Sequence, residues 1–268
     1  MGEPVLIAAG QFETRPRHLK ANTASVVDLI HDSAAQNAKL LVLPEFCISG
    51  YESDWIRQGA PGGGIDDASP LIKIIADATA SHPITVVFND LERHQGHLYS
   101  TSFIVTGGTM IGSHRKSVIT ENEAAAGLSA GDSAAIPVTI PDFPVLVAPL
   151  VCFEHGFPEI ALDLALAGAG LIAISSAIPT GTEYLRNLRT RARAQDNACY
   201  VVAANAVGSS YCGESMIVDP RGEVLSRASA TEPDIILAEI DPQLIIDQRR
   251  LEPVLRLRRP ELRPNIRI

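Results

Sequence analysis

Short apolar runs alternate with longer amphipathic or alanine-rich segments along most of the chain. Runs rich in Val, Ile and Leu are typical of buried strands, and a capping residue or a proline before a leucine- or alanine-rich segment is typical of a helix start. The runs predict strands at Val5–Gly10, Lys39–Leu43, Ile84–Asp90, Leu98–Val105, Met110–Ser113, Val145–Val151, Leu171–Ser175, Tyr200–Val207, Glu214–Val218, Val224–Ser229 and Asp234–Glu239. The longer segments predict helices at Asn22–Gln36 (capped by Asn22 or Thr23), Pro70–Ala80, Pro158–Ala167, Tyr184–Asn197 and Pro242–Arg250.

Both halves of the chain repeat a strand–helix–strand order, which favours an α/β fold built on two sheets. No linker or change in composition separates the halves, so residues 1–268 are predicted to form a single domain. The segment Phe46–Ala68 is polar and glycine-rich and is predicted to be a loop. The tail, Leu251–Ile268, carries five arginines and three prolines, and we expect it to be extended and unable to fold by itself.

Composition narrows the class of protein. With 46% hydrophobic and 20% charged residues, the chain has the make-up of a soluble globular protein. Its net charge of -9 argues against a nucleic-acid partner, because such a surface needs excess Lys and Arg. The longest apolar stretch, Leu162–Ile178, is interrupted by Asp163, glycines and serines, so no membrane span is predicted. Glu3 stands where a signal peptide carries a base, and four cysteines do not make a disulfide framework in a chain this long, so we expect a cytoplasmic protein.

One cysteine, Cys152, directly follows the predicted strand Val145–Val151 and precedes a helix that starts at Pro158. Open α/β sheets place their reactive groups at such strand ends. Cys152 is therefore either a nucleophile or, as free cysteines often are, a small buried residue. A nucleophilic thiol needs a base or a charged neighbour, and the nearest histidine in the sequence is His155.

Two other ionisable residues, Glu45 and Lys116, also follow predicted strands. Charged residues at such positions usually mark only where the chain reaches water, but with Cys152 they form a set. His94 and His97 are spaced as metal ligands can be, yet they lie in a turn with no acidic or cysteine partner in the pattern, so no metal is predicted. No Gly-x-Gly-x-x-Gly follows a predicted strand, which argues against a dinucleotide binder, and no cofactor is predicted.

Several short motifs stand around these residues, in this order: Leu43-Pro44-Glu45 with Gly50-Tyr51, His114-Arg115-Lys116 with Gly131-Asp132, Cys152-Phe153-Glu154 with Phe157-Pro158-Glu159, Arg191–Asn197 with Tyr200-Val201-Val202 and Asn205, and Arg258-Arg259-Pro260-Glu261-Leu262. Together they resemble the nitrilase superfamily, the carbon–nitrogen hydrolases that use a Glu-Lys-Cys triad. The resemblance runs almost from end to end. It implies a two-sheet αββα sandwich, and a homodimer or higher homo-oligomer in which the tail reaches across the interface.

Some positions depart from the superfamily pattern. Relatives commonly have an apolar residue, His and Leu after the lysine, where this chain has Ser117-Val118-Ile119. Some members carry a second glutamate after the lysine, for which Glu123 is the better placed candidate and Glu121 the alternative. His155-Gly156 stands where relatives often have bulkier or basic residues, which bears on the substrate rather than on the mechanism.

The resemblance implies hydrolysis of a small carboxamide to a carboxylic acid and ammonia through a thioester on Cys152. Glu45 would act as the base, and Lys116 with the backbone N–H of Phe153 would hold the oxyanion. Glu123 would orient Lys116 or the substrate amide. Candidates for lining the substrate pocket, because each lies next to a catalytic motif or ends the following strand, are Tyr51, His155 and Ala177. A carbamoyl substrate, a nitrile, acyl transfer to another acceptor and a catalytically silent relative are the alternatives.

Overall fold

The computed structural model describes residues 3–66, 69–259 and 261, which contain two central sheets with helices on their outer faces. The strands are β1 (Val5–Gln11), β2 (Leu40–Val42), β3 (Thr85–His94), β4 (His97–Thr106), β5 (Thr109–Arg115), β6 (Leu146–Val151), β7 (Ala169–Ser176), β8 (Tyr200–Asn205), β9 (Val207–Gly208), β10 (Tyr211–Cys212), β11 (Met216–Val218), β12 (Val224–Arg227) and β13 (Asp234–Ile240). The helices are α1 (Leu19–Ala35), α2 (Ser53–Arg57), α3 (Pro70–Ala80), α4 (Glu121–Ala126), α5 (Pro158–Leu166), α6 (Glu183–Asn197) and α7 (Pro242–Leu251), and a 3-10 helix spans Cys152–Gly156.

The two large sheets share a mixed topology. The first has the order β13-β1-β2-β3-β4-β5, with β1, β2 and β3 parallel and the other pairs antiparallel. The second has the order β12-β11-β8-β7-β6, with β6, β7 and β8 parallel. β6 is an edge strand of the second sheet and contains Pro149, a residue with no backbone N–H. β9 and β10 form a separate small hairpin.

Aliphatic side chains fill the space between the two sheets. Alternate residues of a strand point to opposite faces of its sheet. In the first sheet Ile7 packs into this inner core and Ala8 into a second core that includes residues of α1 and α3. In the second sheet Leu171 points inward and Ile172 packs into a third core that includes residues of α5 and α6. The layers are therefore helix, sheet, sheet and helix, which confirms the predicted αββα sandwich.

Helix α1 begins earlier than the sequence predicts, and the side chains expected to cap it make other contacts. α1 begins at Leu19, so the predicted cap at Asn22 or Thr23 was wrong. Asn22 lies within the helix, and its side-chain amide donates hydrogen bonds of 2.8 Å to the carbonyl oxygens of Arg15 and Ile48. The Thr23 hydroxyl donates back to the Leu19 carbonyl. The side chain that looks like a cap thus ties the helix to two loops.

Two short helices fall in segments for which no helix is predicted. α2 lies in the expected loop Phe46–Ala68, of which residues 67 and 68 lie outside the described residues. It forms because Trp55 and Ile56 are buried in a small apolar cluster. α4 follows the strand that precedes Lys116. The predicted strand Tyr200–Val207 is also divided, since β8 ends at Asn205 and Val207 belongs to β9.

The carboxyl ends of strands from both sheets meet at one place. β2 in the first sheet ends shortly before Glu45, β5 ends directly before Lys116, and β6 in the second sheet ends directly before Cys152. The Glu45 backbone N–H donates to the Ser176 carbonyl at the end of β7, a hydrogen bond of 3.1 Å that joins the two sheets. The candidate reactive residues Glu45, Lys116 and Cys152 therefore lie where the two sheets contact each other.

Near the other end of the described chain, α7 ends at Leu251, one residue after the predicted Arg250. Pro260 and residues 262–268 of the predicted tail lie outside the described residues, so part of the Arg258–Leu262 motif does as well. None of the helices within residues 3–66, 69–259 and 261 is long and apolar enough to cross a membrane.

Leu171→Ala should lower the free energy of unfolding by about 2–5 kcal/mol, because truncation leaves a cavity in the core between the sheets. Leu225→Ala is the matched control, since Leu225 is 42% exposed and its truncation should change stability by less than about 0.5 kcal/mol. Urea unfolding followed by circular dichroism measures both variants. Equal losses in the two variants would contradict this position of the core.

Candidate active site

Cys152 lies at the turn between β6 and the 3-10 helix in a conformation that residues other than glycine rarely adopt. Its φ is 40°, in the left-handed region, and such strain persists only where the surroundings fix it. The backbone N–H of Ala177 donates a hydrogen bond to the Cys152 sulfur, and the thiol is hydrogen-bonded to the Glu45 carboxylate. The thiol is thus held between the end of β7 and the loop that follows β2.

The ammonium group of Lys116 lies between two carboxylates. Its Nζ is 2.9 Å from Oε1 of Glu45 and 2.6 Å from Oε1 of Glu123, and all three side chains are buried. The Ser100 hydroxyl donates to the same oxygen of Glu45 at 3.3 Å. Burying an ion is unfavourable unless it is paired and hydrogen-bonded. Two carboxylates satisfy the lysine charge here, and one of them also faces the thiol.

These surroundings shift the pKa of each reactive group. Burial raises the pKa of Glu45, and the neighbouring Lys116 charge opposes this only in part. Burial and the Glu45 charge raise the pKa of the Cys152 thiol well above its usual value. Burial lowers the pKa of Lys116, but the charges of Glu45, Cys152 and Glu123 outweigh it and raise that pKa. At neutral pH the site therefore holds an ammonium ion and a neutral thiol, which needs a base to become a thiolate.

A capping box fixes Glu123 at the start of α4. The Glu123 backbone N–H donates to the Thr120 hydroxyl at 3.2 Å, and the Thr120 backbone N–H donates to Oε2 of Glu123 at 2.6 Å. The other carboxylate oxygen accepts from Lys116. Glu121 is exposed, so Glu123 is the glutamate that contacts the lysine. Thr-x-x-Glu is a readable helix-start signal, and it marks the helix that the apolar pattern missed.

The loop that carries Glu45 is held by polar contacts within the first sheet. Phe46 has a φ of 52°, and its backbone N–H donates to the Asn89 side-chain oxygen at 3.1 Å. The Asn89 amide nitrogen in turn donates to Ser100, the residue whose hydroxyl contacts Glu45. The side chain and the backbone around the carboxylate are therefore both positioned by β3 and β4.

A cavity of about 510 Å³ opens onto these groups. Every residue that the sequence predicts for the site borders it: Glu45, Tyr51, Lys116, Glu123, Cys152, Phe153, His155 and Ala177. The individual roles of these residues stay predictions. The sequence does not indicate the wall formed by α6 and β10, which contributes Leu185, Arg186, Arg189 and Tyr211.

Metal ligands do not form a cluster in the part of the chain that the structure describes, where no group of three His, Cys, Asp or Glu residues is arranged to hold an ion. His94 and His97 face each other across the β3–β4 hairpin. His97 Nδ1 lies 3.2 Å from the Ser129 hydroxyl.

Comparison with known proteins identifies the family. The sequence profile of the carbon-nitrogen hydrolases matches residues 6–250. The chain belongs to this family. A hydrolase encoded in the pqqF 5′ region of Pseudomonas protegens is 31% identical over 94% of this chain and 88% of its own length. The omega-amidase NIT3 of Saccharomyces cerevisiae is 31% identical over 83% of this chain and 81% of its own length.

Solved structures confirm the nitrilase superfamily fold of this carbon–nitrogen hydrolase. Nit3 of Saccharomyces cerevisiae, a member of branch 10 of that superfamily, superposes with a TM-score of 0.84 at 27% identity, over 97% of both chains. An amidase from Nesterenkonia sp. AN1 superposes with a TM-score of 0.86 at 21% identity, over 97% of this chain and 96% of its own.

Glu154 is a buried carboxylate for which the sequence predicts no role, although it belongs to the Cys152-Phe153-Glu154 motif. Its Oε2 accepts from the Val151 backbone N–H, and its Oε1 accepts from the backbone N–H and the hydroxyl of Ser117, at 2.7–2.8 Å. His114 Nε2 lies 3.0 Å from both oxygens. Glu154 therefore links the loop of Cys152 to the loop of Lys116. Ser117, which departs from the superfamily pattern, is one of its donors.

Glu154→Gln should lower the free energy of unfolding at pH 7 by about 1–3 kcal/mol. The NH2 group of the glutamine side chain would face the N–H and O–H groups of Val151 and Ser117, which need an acceptor. Burial raises the pKa of Glu154, but hydrogen bonds from His114 and Ser117 outweigh it and hold the pKa below its usual value. A lowered pKa contributes stability above the unfolded-state value, and this stability is lost as pH falls through the folded-state value. The difference between wild type and variant should therefore shrink toward acid pH.

Urea unfolding between pH 3 and pH 8 measures this difference, with Glu223→Gln as the control because Glu223 is exposed. The control should match wild type at every pH. A difference for Glu154→Gln that grows on acidification would contradict the role assigned to the carboxylate.

Proposed function

We propose that this carbon–nitrogen hydrolase converts a small carboxamide to a carboxylic acid and ammonia through a thioester on Cys152. The observation that carries the proposal is the contact between the Cys152 thiol and the Glu45 carboxylate beside the Lys116 ammonium. A nucleophile, a base and a cation for a developing oxyanion then border a single cavity. A buried core cysteine would need neither of the charged neighbours.

Acylation begins with proton transfer from Cys152 to Glu45 as the sulfur attacks the amide carbon. With ordinary pKa values near 4.3 and 8.5, that transfer is uphill by about 5–6 kcal/mol. Burial raises the pKa of Glu45, which makes it a stronger base, and the Lys116 charge favours the thiolate. Lys116 and the Phe153 backbone N–H would stabilise the oxyanion of the tetrahedral intermediate.

Collapse of this intermediate breaks the carbon–nitrogen bond. Glu45 returns its proton to the leaving nitrogen, ammonia departs, and the acyl group remains on the Cys152 sulfur. Glu45 then takes a proton from a water molecule that attacks the thioester carbon, and that proton passes to the sulfur as the acid is released. Glu123 would keep the Lys116 ammonium directed at the carbonyl oxygen, because its own carboxylate is fixed by the capping box.

The names of several relatives support an amide substrate. NIT3 of Saccharomyces cerevisiae is an omega-amidase, and the Nesterenkonia amidase is known in complexes with acrylamide and butyramide. In one mutant of that amidase, acrylamide has added to the active-site cysteine by Michael addition. A relative from Pyrococcus abyssi, 30% identical over 85% of this chain, is a nitrilase, which keeps the nitrile alternative open.

Cys152→Ala should lower ammonia release from a panel of small amides, carbamoyl compounds and nitriles by at least about 1000-fold. Glu45→Gln should lower it by about 100- to 10,000-fold, because the base is lost while the thiol remains. Acrylamide should therefore still add its mass to Cys152 in Glu45→Gln. Intact-protein mass spectrometry measures the adduct.

The matched controls are Cys199→Ala, a buried thiol in the core beneath α5 and α6, and Glu121→Gln, an exposed glutamate close to Glu123. Both should retain wild-type turnover. Undiminished ammonia release from Cys152→Ala would refute the nucleophile. Turnover without any acyl adduct, after rapid acid quenching with a slow amide, would refute the thioester.

We also propose that the protein is a homodimer or higher homo-oligomer. Tyr184 and Leu188 are large exposed residues one turn apart on α6, and Leu251 and Leu257 are exposed near the end of the described chain. Exposed apolar residues that lie side by side, as Tyr184 and Leu188 do, often mark contact surfaces.

Light scattering after size exclusion should give a mass of at least two chains. Leu188→Asp should shift that mass toward one chain, because a buried charge disfavours the contact. Leu225→Asp, an exposed leucine on β12, is the control and should leave the mass unchanged. A monomeric wild type would refute the proposal.

A further inference from the structure

The loop that directly follows Glu45 donates its backbone N–H groups to two neighbouring residues of β3. The first of these, Asn89, binds the start of the loop. The Phe46 N–H donates to the Asn89 side-chain oxygen at 3.1 Å, and the Cys47 N–H donates to the Asn89 carbonyl oxygen at 3.0 Å. The next residue of a strand points to the opposite face of its sheet. The rest of the loop is therefore bound from the other face of β3.

Asp90 binds this second half of the loop. Its carboxylate accepts from the Ser49 backbone N–H at 3.1 Å, from the Ser49 hydroxyl, and from the Leu91 backbone N–H at 2.8 Å. The Ile48 backbone N–H is a fourth donor. An ionised carboxylate only accepts hydrogen bonds and offers about four lone-pair sites. The four donors therefore match the acceptor capacity of Asp90.

The other side of the same loop is closely packed. The Ser49 carbonyl oxygen accepts from the Arg17 backbone N–H at 2.9 Å. Gly50 has a φ of 63°, and a Cβ there would be only 2.7 Å from the backbone of Pro16. Ser49 is 1% exposed, so its N–H cannot turn to water where it stands. Without an acceptor on β3, the loop would have to shift to satisfy its buried donors.

Asp90 takes no part in the chemistry of the cavity itself. It is 2% exposed and does not border the cavity. No residue in the described ranges 3–66, 69–259 and 261 forms an ion pair with it. Burial raises the pKa of Asp90 to about 6, although hydrogen bonds from Ser49 and Leu91 oppose this, so the group is ionised at pH 8. A buried charge without a counter-ion is unfavourable and needs such donors. Apart from Leu91, all of them belong to the loop after Glu45.

We propose that Asp90 is a positioning residue: it fixes the backbone of the loop 46–49 and thereby holds the Glu45 carboxylate against the Cys152 thiol. A displacement of about 1 Å at a reacting group can lower a rate by about 100-fold. The effect on turnover rests on the amidase function proposed above, whereas the hold of Asp90 on the loop does not.

Asp90→Asn tests the proposal at nearly unchanged size, because the amide has one acceptor oxygen fewer and turns an NH2 group toward N–H donors. At pH 8, kcat for the small amide that wild type hydrolyses fastest should fall by about 10- to 100-fold. KM should change by less than about 3-fold, since the side chain does not border the cavity. Ser49→Ala removes only the hydroxyl donor and should lower kcat by about 3- to 10-fold. It replaces Asp90→Asn in each test if that variant does not fold.

A double variant shows whether Asp90 acts through Glu45. In Glu45→Gln the base is already lost, so adding Asp90→Asn should lower the residual kcat by less than about 2-fold. A general loss of structure would instead add its full effect of about 10- to 100-fold. Such an additive result would overturn the proposal.

Asp219→Asn is the matched control. Asp219 is also a buried aspartate, and it accepts the backbone N–H groups of Arg221 and Glu223, at 2.8 and 3.0 Å, in the turn between β11 and β12. It does not border the cavity. Its replacement should change kcat by less than about 2-fold. Equal falls of kcat in Asp219→Asn and Asp90→Asn would contradict a specific role for Asp90.

Hydrogen exchange measured by mass spectrometry separates this inference from the amidase activity. In peptides that cover residues 44–52, the loop amides should exchange at least about 10-fold faster in Asp90→Asn than in wild type. In Asp219→Asn they should exchange as in wild type. If this holds while wild type hydrolyses no amide, the amidase function fails and the hold of Asp90 on the loop stands. Unchanged exchange in Asp90→Asn refutes that hold whatever the activity.

Discussion

A buried ammonium ion held by two carboxylates is the interaction on which the rest of the site depends. Lys116 is almost fully buried, and such a charge is tolerated only because Glu45 and Glu123 both contact it. The three side chains come from the end of β5, the end of β2 and the start of α4, so the ion cluster fixes three connections of the first sheet relative to one another. The thiol is then added to this charged cluster from the second sheet.

Each sheet contributes what the other lacks. The first sheet supplies the Glu45 carboxylate and the Lys116 ammonium, and the second supplies Cys152 and the Ala177 N–H that contacts its sulfur. Hydrogen bonds join the two sheets on both sides of the site. Glu45 of the first sheet donates its backbone N–H to Ser176 of the second, and Glu154 of the second accepts hydrogen bonds from Ser117 of the first. The site therefore requires the two sheets to pack in one relative position.

The strands were predictable because strands buried on both faces appear as continuous apolar runs, which local sequence reports directly. The reactive residues were predictable as candidates because they follow such runs. The apolar pattern does not predict their contacts, since Glu45, Lys116 and Cys152 are far apart in the chain and meet only through sheet packing. Only the family resemblance implies that the three residues act together. Asn22 shows the opposite case, because a side chain that looks like a local helix cap instead donates to the carbonyl oxygens of Arg15 and the distant Ile48. The α6 wall of the cavity was missed because nothing local tells which face of a polar helix meets a cavity.

Pro149 in β6 has a consequence for how copies of the chain can associate. An edge strand with free N–H and C=O groups can pair with a strand of another molecule and so extend its sheet. At the β6 edge Val138 and Val147 already exchange hydrogen bonds, and Pro149, two residues further on, offers no donor. A strand of another molecule therefore finds no continuous row of hydrogen-bonding groups along β6. That edge resists intermolecular sheet growth, and association there must proceed through side chains.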